Sequence, residues 1–246
     1  MKKKNQKIIK FYPLSEKTVE FSPEPKPASG AIPQWYRQQP GSIDNGEAIA
    51  QFGQPTSTVK KCLPIFDIIT AGYVVVTPVD IYVDATNPDK LSYQIPAAMA
   101  QFKADIFASH DRQQYSQMPI DASLYHRDLL RIMPFWIAST PPGYSTLFLN
   151  PLHRDPSPIS ALPGLIDTDG YPSDGHLSFM VQKDFKGIIK QGTPLVQVIP
   201  FKREEWKMEI VDAKESETFL KKHRMNLRST FNNGYKNKFR SPKEYK

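Results

Sequence analysis

Short apolar runs separated by proline and glycine turns dominate the middle of the chain. In these runs β-branched and aromatic residues alternate partly with polar ones, a pattern typical of half-buried β-strands. Many short strands joined by such turns indicate a mainly β sandwich or barrel. The predicted strands cover 7–13, 70–78, 79–83, 91–95, 131–137, 144–149, 176–181, 187–189 and 195–201.

The pattern changes on both sides of this region and divides the chain into three parts. Residues 1–57 hold one short strand and an arm whose many prolines keep it extended. The β domain spans 58–203 and contains a polar insertion, with loop and short helix, near 99–128. Residues 204–246 favour helix and then a basic tail. The helices are predicted at 204–208 and 213–227.

Composition limits the compartment and the means of stabilisation. Hydrophobic residues make up 39% of the 246, enough for a packed core. Cys62 is the only cysteine, so one chain cannot form a disulfide framework, and a reducing site of synthesis is expected. No apolar run is long enough for a transmembrane segment, and no signal-peptide core precedes the first strand. We therefore expect no membrane partner.

Charge is distributed unevenly along the chain. The net charge is +7, but residues 1–10 hold five lysines without an acid, and residues 221–246 hold nine Lys or Arg against one acid. The remaining 18 basic and 24 acidic residues leave the body with a net charge of −6. The basic ends are candidates for contact with an acidic protein surface or nucleic acid. Solvated tails that only aid solubility explain the same pattern.

Four segments, in order along the chain, resemble signatures of the trimeric dUTPase and dCTP deaminase superfamily. They read AGY at 71–73, PPGY at 141–144, GLIDTDGY at 164–171 and GTPLVQVI at 192–199. In that superfamily the third is a Gly-x-Ile-Asp-x-Asp-Tyr turn beside the nucleotide, and the fourth is a strand of the barrel wall. The resemblance covers roughly residues 70–201.

The resemblance implies a β-clip fold, a distorted barrel or jelly roll, that assembles as a homotrimer with a ligand cleft between subunits. Asp167 matches the carboxylate that activates water in dUTPases and is the candidate catalytic residue. Beside a phosphate-bound metal such a carboxylate can deprotonate water, so Mg²⁺ is expected only if the chain is an enzyme. Tyr171 roughly matches the ring that stacks on the base, although Gly170 shifts it by one position. Asp169 and Arg154 complete the candidate ligand-binding residues.

Several departures from the superfamily pattern argue against catalysis. Val74 stands where the first signature has Asp. The segment NPLHR at 150–154 replaces the Pro-Arg-Ser-Gly phosphate loop, which removes a serine and displaces the arginine. Only Gly234 follows Gly192, so no glycine-rich segment is present to close over a triphosphate. The turn at 171–175 also lacks the glutamate expected of a deaminase.

Other titratable residues do not indicate a metal site. No two histidines lie three or four positions apart, and Cys62 has no second cysteine to join it. Asp167, Asp169 and Asp174 offer hard oxygen ligands for a divalent cation. Aspartates in such turns more often bond to their own backbone, so no metal is predicted.

Three segments, at 61–67, 140–145 and 192–204, resemble an uncharacterised family found in tailed phages and bacteria. This likeness covers most of residues 8–210 and favours a phage origin. Together, the observations favour a non-catalytic, homotrimeric structural or adaptor protein, virion-associated and located in the host cytoplasm or the virion. The alternative is a dUTPase-like nucleotide-binding protein or nucleoside triphosphate hydrolase that uses Asp167.

Overall fold

The computed structural model describes residues 7–44, 55–101, 107–110, 112–171, 175–228 and 234–246. These residues fall into two compact units. The first takes the described residues of Met1–Gln39, Ile68–Arg203 and Tyr245–Lys246, and the second takes those of Pro40–Asp67 and Glu204–Glu244.

The described chain is mainly β, so the predicted fold class is confirmed at that level. In chain order the strands are β1 (Lys10–Pro13), β2 (Lys26–Pro27), β3 (Ser42–Ile43), β4 (Thr56–Ser57), β5 (Tyr73–Val76), β6 (Ile81–Asp84), β7 (Ser92–Gln94), β8 (Phe107–His110), β9 (Tyr125–Ile132), β10 (Trp136–Ser139), β11 (Tyr144–Leu149), β12 (Ile159–Ala161), β13 (Gly164–Ile166), β14 (Leu177–Gln182), β15 (Lys186–Ile189) and β16 (Pro194–Lys202). The helices are α1 (Thr18–Phe21), α2 (Gln34–Gln38), α3 (Leu63–Ile69) and α4 (Ala213–Arg228). Shorter helical turns lie at Ala28–Ala31, Val59–Lys61, Ala97–Gln101, Arg112–Tyr115 and, as a π-helical turn, Tyr235–Phe239.

The strands of the first unit form open antiparallel sheets, and no sheet closes into a barrel within the described ranges. A five-stranded sheet has the order β13-β11-β16-β5-β2, and a four-stranded sheet has the order β12-β14-β9-β8. Smaller sheets have the orders β15-β6-β7 and β1-β10. The finer β-clip assignment stays a prediction.

The core of the first unit takes apolar side chains from both of the larger sheets. Phe179 on β14, Leu130 on β9 and Val198 on β16 belong to one buried cluster and are 0% exposed. Burial of each such side chain contributes about 1.5–3 kcal/mol relative to exposure. The cluster therefore holds the two sheets together as one unit.

Gln197, on the central strand β16, is a fully buried amide that joins three segments. Its Oε1 accepts a hydrogen bond from the Leu152 N–H at 3.1 Å. Its Nε2 donates to the carbonyl oxygens of Ile68 and Ala71 at 2.9 and 2.7 Å. A buried amide is tolerated only when its polar atoms are bonded in this way. The glutamine of the segment 192–199 is thus a structural residue.

Gly72 explains the glycine of the AGY segment. Its φ is +67°, in the left-handed region, and a Cβ there would lie 2.0 Å from the Val198 carbonyl oxygen. Two independent reasons therefore require glycine at this position: the backbone conformation and the close approach of β16.

The structure differs from the predicted elements in three places. The predicted strand 131–137 is two strands, because β9 ends at Ile132 and β10 begins at Trp136, with Pro134 between them. The polar region near 99–128 contributes β8 and the first residues of β9 to the four-stranded sheet. The helix predicted at 204–208 is wrong, since residues 203–212 have no regular secondary structure.

The predicted helix 213–227 is confirmed as α4, the 16-residue helix of the second unit. Asp212 caps its start, since its Oδ1 accepts hydrogen bonds from the N–H groups of Lys214 and Glu215 at 2.8 and 2.9 Å. Such a cap satisfies N–H groups that have no partner within the helix. Through all the described parts of the chain, no helix combines the length and the apolar character that a membrane crossing requires.

Candidate functional site

The residues that follow β13 fold into a tight turn that carries three of the predicted site residues. The N–H groups of Gly170 and Tyr171 both donate to the Asp167 carbonyl oxygen, at 3.1 and 2.9 Å. The turn also includes Asp169, and it lies beside the start of β11 and the end of β16, because Thr146 pairs with Ile166 and Tyr144 with Lys202. The three side chains therefore belong to one end of the five-stranded sheet.

Asp169 forms an ion pair with Arg203, the residue that follows β16. The Nη1 atom of Arg203 donates to Asp169 Oδ1 at 2.8 Å, and Nη2 donates to Oδ2. The Gly143 N–H donates to the same Oδ2 at 2.8 Å. The hydrogen bonds from Arg203 and then from Gly143 lower the pKa of Asp169 to about 2. Asp169 thus fixes the turn that precedes β11 to the end of β16.

The hydrogen bond and the ion pair described for the Asp167 carboxylate both involve its Oδ1 atom. The Ser145 hydroxyl, fully buried, donates to its Oδ1 at 2.6 Å, and Nη1 of Arg203 lies 3.3 Å from the same oxygen. Arg203 Nη1 also donates to the Ser145 hydroxyl oxygen at 3.0 Å. The Asp167 side chain remains 64% exposed, against 12% for Asp169. We call Ser145, Asp167, Asp169 and Arg203 the aspartate–arginine cluster.

Buried threonine hydroxyls support the turn from within. The Thr168 hydroxyl lies 2.7 Å from the hydroxyls of both Thr140 and Thr146, and all three residues are buried. The Thr140 hydroxyl donates its hydrogen to the Tyr144 carbonyl oxygen at 3.0 Å. Thr168 must therefore donate to Thr140 and accept from Thr146, since each hydroxyl has one hydrogen. This one-way chain fixes the residue between Asp167 and Asp169.

The guanidinium of Arg203 lies against both carboxylates of the cluster. Two carboxylates face one arginine, so the formal charge is −1, and Arg203 supplies the planar fork that pairs with a carboxylate through two hydrogen bonds. Within the described residues no group of three or more His, Cys, Asp or Glu side chains is arranged to hold a metal ion. Asp174, the third aspartate of the candidate cation set, lies outside the described residues.

The structure does not bring Arg154 into this cluster by any hydrogen bond or ion pair among the described residues. Its Nη2 donates to the backbone carbonyl oxygens of Ile69 and Ala28, at 3.1 and 3.5 Å. Burial lowers the pKa of the guanidinium, and its Nε is buried without a hydrogen-bond partner among the described atoms. Arg154 therefore acts as a structural donor to the backbone.

Tyr171 belongs to the same turn as Asp167 and leaves half of its surface in solvent, at 52% exposed. Its hydroxyl oxygen would lie 3.8 Å from a Cβ built at Gly175, so the ring reaches toward the far end of the loop. The residues between them, 172–174, lie outside the described residues.

Sequence reasoning gave Arg203 no role in a site, and it discounted Ser145, for which a triad with His153 and Asp155 rested only on nearness in sequence. Arg203 lies near the end of the segment 192–204, and Ser145 directly follows the PPGY segment, so both stood inside motifs already recognised. Neither position had a role in the superfamily signatures. The available signal is the charge of the turn at 164–171, whose two aspartates can pair with an arginine that the fold brings near.

A second charged cluster lies in the second unit and involves the basic tail. The Asp67 carboxylate is 10% exposed and accepts hydrogen bonds from Arg240 Nη2 at 2.6 Å and Lys243 Nζ at 3.1 Å. The hydrogen bonds from Arg240 lower the pKa of Asp67, with a smaller contribution from Lys243. Two of the basic residues in the tail are thus already paired within the chain.

Comparisons with known proteins add no support for the fold or for the site. No protein-family model matches the chain, and no curated protein matches it. A solved structure of a mutant dUTPase from phage phi11 of S. aureus, described for its coordination of a structural Mg(II) ion, is 12% identical, with 59% of this chain and 85% of that chain covered. The TM-score is 0.30, too low to support any argument. The mainly β class rests on the strands themselves.

Proposed function

We propose that the chain is a non-catalytic structural or adaptor protein of phage type, with a β-clip-like body that assembles as a homotrimer. The observation that carries the non-catalytic part is the position of Arg203, which contacts both Asp167 and Asp169. A general base must offer a carboxylate oxygen to the proton that it removes. Oδ1 of Asp167 already accepts from Ser145 and faces a permanent cation.

Electrostatics also disfavour a triphosphate at this turn. Stabilising a triphosphate requires several cationic or N–H donors that converge on its oxygens. The aspartate–arginine cluster instead has two carboxylates for one guanidinium, a formal charge of −1 that repels phosphate. Arg154, the cation predicted for this role, is directed toward backbone carbonyl groups.

The assembly and the phage assignment rest on the sequence resemblances. The ordered segments from 71 to 199 support the β-clip form and the threefold association that accompanies it. The segments at 61–67, 140–145 and 192–204 support a phage origin and, with it, association with the virion. An acidic partner or nucleic acid would be held by basic residues not already paired with Asp67, among them the exposed Lys236.

One observation favours the alternative, a dUTPase-like nucleotide-binding protein or hydrolase. Asp167 is 64% exposed, and Tyr171 on the same turn is 52% exposed. A nucleobase could therefore reach Tyr171, and the attacking water could reach Asp167. In that case Mg²⁺ would accompany the phosphates, and Arg203 would have to leave Asp167 as the ligand binds.

Turnover assays separate the two functions. Purified full-length protein is incubated with dUTP or dCTP and Mg²⁺, beside Asp167→Asn and, as a matched change at an exposed aspartate, Asp155→Asn. We expect no turnover by any of the three. Turnover on the order of 1 per second, within the ordinary enzyme range, that is lost in Asp167→Asn and kept in Asp155→Asn would establish the alternative.

Two further measurements test the structural reading. Light scattering should give about three times the 28.0 kDa chain mass, and a mass near 28.0 kDa across micromolar concentrations would exclude the trimer. Mass spectrometry of purified virions should detect the polypeptide, and its absence there would leave only the adaptor role.

A further inference from the structure

Helix α4 presents two sides with different surroundings. On one side the Phe219 ring lies 4.3 Å from the His223 ring, which lies 6.1 Å from Phe239 in the π-helical turn of the same unit. A second side carries Ala213, Glu217, Leu220 and Arg224, spaced four, three and four residues apart. That spacing forms the seam along which two helices pack.

The seam is open to solvent, with Leu220 at its centre. Ser216, Lys221 and Met225 lie beside it on the same face of α4. Leu220 is 40% exposed and Met225 64%. Of the side chains that the structure describes, none forms an ion pair with Glu217, Lys221 or Arg224.

Charge divides α4 and the segment before it into two parts of opposite sign. The stretch 204–217 holds six acids and two lysines, whereas 218–228 holds four Lys or Arg and no acid. Acids at a helix start and bases at its end suit the helix dipole, but that effect is confined to the first and last turns. Glu217 and Lys221 lie in the middle of α4, where the dipole does not account for them.

We propose that α4 docks antiparallel onto α4 of a second copy of the chain. Glu217 and Arg224 are equally far from the midpoint of Ala213–Arg228, so in an antiparallel pair Glu217 faces the partner's Arg224 and the reverse pair forms by symmetry. Leu220 then lies at the centre of the contact. Glu217 and Arg224 of each helix then face charges of opposite sign, whereas parallel helices would bring like charges together.

The segment before α4 also exposes apolar side chains. Trp206, Met208 and Ile210 alternate along the chain and are 84–87% exposed, and large exposed apolar groups are typical of an interaction site. In an antiparallel pair the start of α4, which the acidic segment 204–212 precedes, lies nearest the basic end of the partner's helix. The contact is twofold, so in the proposed trimer it joins one trimer to the next; it does not depend on the proposed function.

Charge reversal tests this contact in the full-length chain. Glu217→Lys and Arg224→Glu each place like charges across the pair and should weaken self-association at least about tenfold. An equimolar mixture restores both opposite-charge pairs, so the two variants should associate with each other to within about threefold of the wild type. Glu215→Lys and Lys222→Glu make the same charge changes away from the seam and should associate like the wild type.

Native mass spectrometry with one variant bearing a mass tag reads out the mixture, and circular dichroism confirms that each variant keeps its helix. Failure of the mixture to associate more than either variant alone would overturn the proposal, as would wild-type association by both seam variants. The trimer is judged separately: a seam variant should have about three times the 28.0 kDa chain mass if the proposed trimer holds, and 28.0 kDa if it does not.

Discussion

Arg203 binds Asp169 through both of its terminal nitrogens, although the two residues are 34 positions apart in the sequence. The same guanidinium reaches Ser145, and the Arg203 N–H donates to the Gly143 carbonyl oxygen at 2.9 Å. The pair therefore links the end of β16 to the turn before β11 and to the turn after β13. Its consequences can be measured in several ways.

Replacing Arg203 by lysine should lower the thermal stability of the first unit. Lysine keeps the charge but cannot make the two parallel hydrogen bonds to Asp169, so we expect the Tm to fall by about 2–4 °C. Differential scanning calorimetry measures the change. Arg112→Lys is the matched control, because the ion pair of Arg112 with Asp89 is long, at 3.7 Å. Equal shifts in both variants would show that the forked geometry of Arg203 contributes nothing.

The lowered pKa of Asp169 predicts an acid-sensitive contribution to stability. Its pKa is about 2 in the folded chain, against an ordinary value of 3.8, so the unfolded chain binds this proton more readily. The stabilisation is therefore complete above about pH 5 and is lost as the pH falls toward 2. In denaturant titrations the difference in free energy of unfolding between wild type and Asp169→Asn should shrink over that range. Asp44→Asn, at an exposed aspartate, is the matched control and should change the free energy of unfolding less.

Gly72→Ala should destabilise the chain far more than Gly143→Ala. Both glycines have positive φ, which costs about 1–2 kcal/mol for a residue with a side chain. A Cβ at Gly72 would also collide with the Val198 carbonyl oxygen, whereas a Cβ at Gly143 meets no atom within 4 Å. The total for Gly72→Ala should reach about 3 kcal/mol or more. Similar losses in chemical denaturation would mean that β16 moves aside without cost.

Arg240→Ala should destabilise the second unit, because it removes the main partner of the buried Asp67 carboxylate. We expect the Tm of that unit to fall by about 4 °C or more. Lys236→Ala removes an exposed cation from the same tail and should leave the Tm unchanged while it weakens binding to a polyanion such as heparin. Equal stability of both variants would show that the tail is only a solvated end.

Most strands could be predicted because their pattern is local. β11 matches its predicted bounds, and β14, β15 and β16 lie within a residue or so of theirs. The first residues of β9 were not predicted as strand because their sequence is polar. His126, for example, is only 3% exposed. Its ring can be buried because it is hydrogen-bonded to the Asn87 carbonyl oxygen and the Asp128 N–H, at 2.8 and 2.9 Å. Hydrogen bonds made across the fold offset that burial, and no local pattern reveals them.

The segment 204–208 shows the opposite error. Glu, Lys and Met each favour helix. Trp206, Met208 and Ile210, however, alternate with a period of two, and a helix would not place these three side chains on one side. The turn at 164–171 could be found by resemblance, whereas the partner of its aspartates could not. Arg203 reaches them only because β16 pairs with β11, and that register is a property of the assembled sheet.

The central place of β16 has a consequence for synthesis on the ribosome. β16 is the last strand of the first unit to be made, yet it separates β11 from β5 in the five-stranded sheet. Until Lys202 has left the ribosome, both neighbouring strands have unpaired edges and exposed apolar faces. A partly synthesised chain in this state is prone to aggregate. The five-stranded sheet can therefore be completed only when the first unit is almost fully translated, and slower elongation would prolong the exposure of those edges.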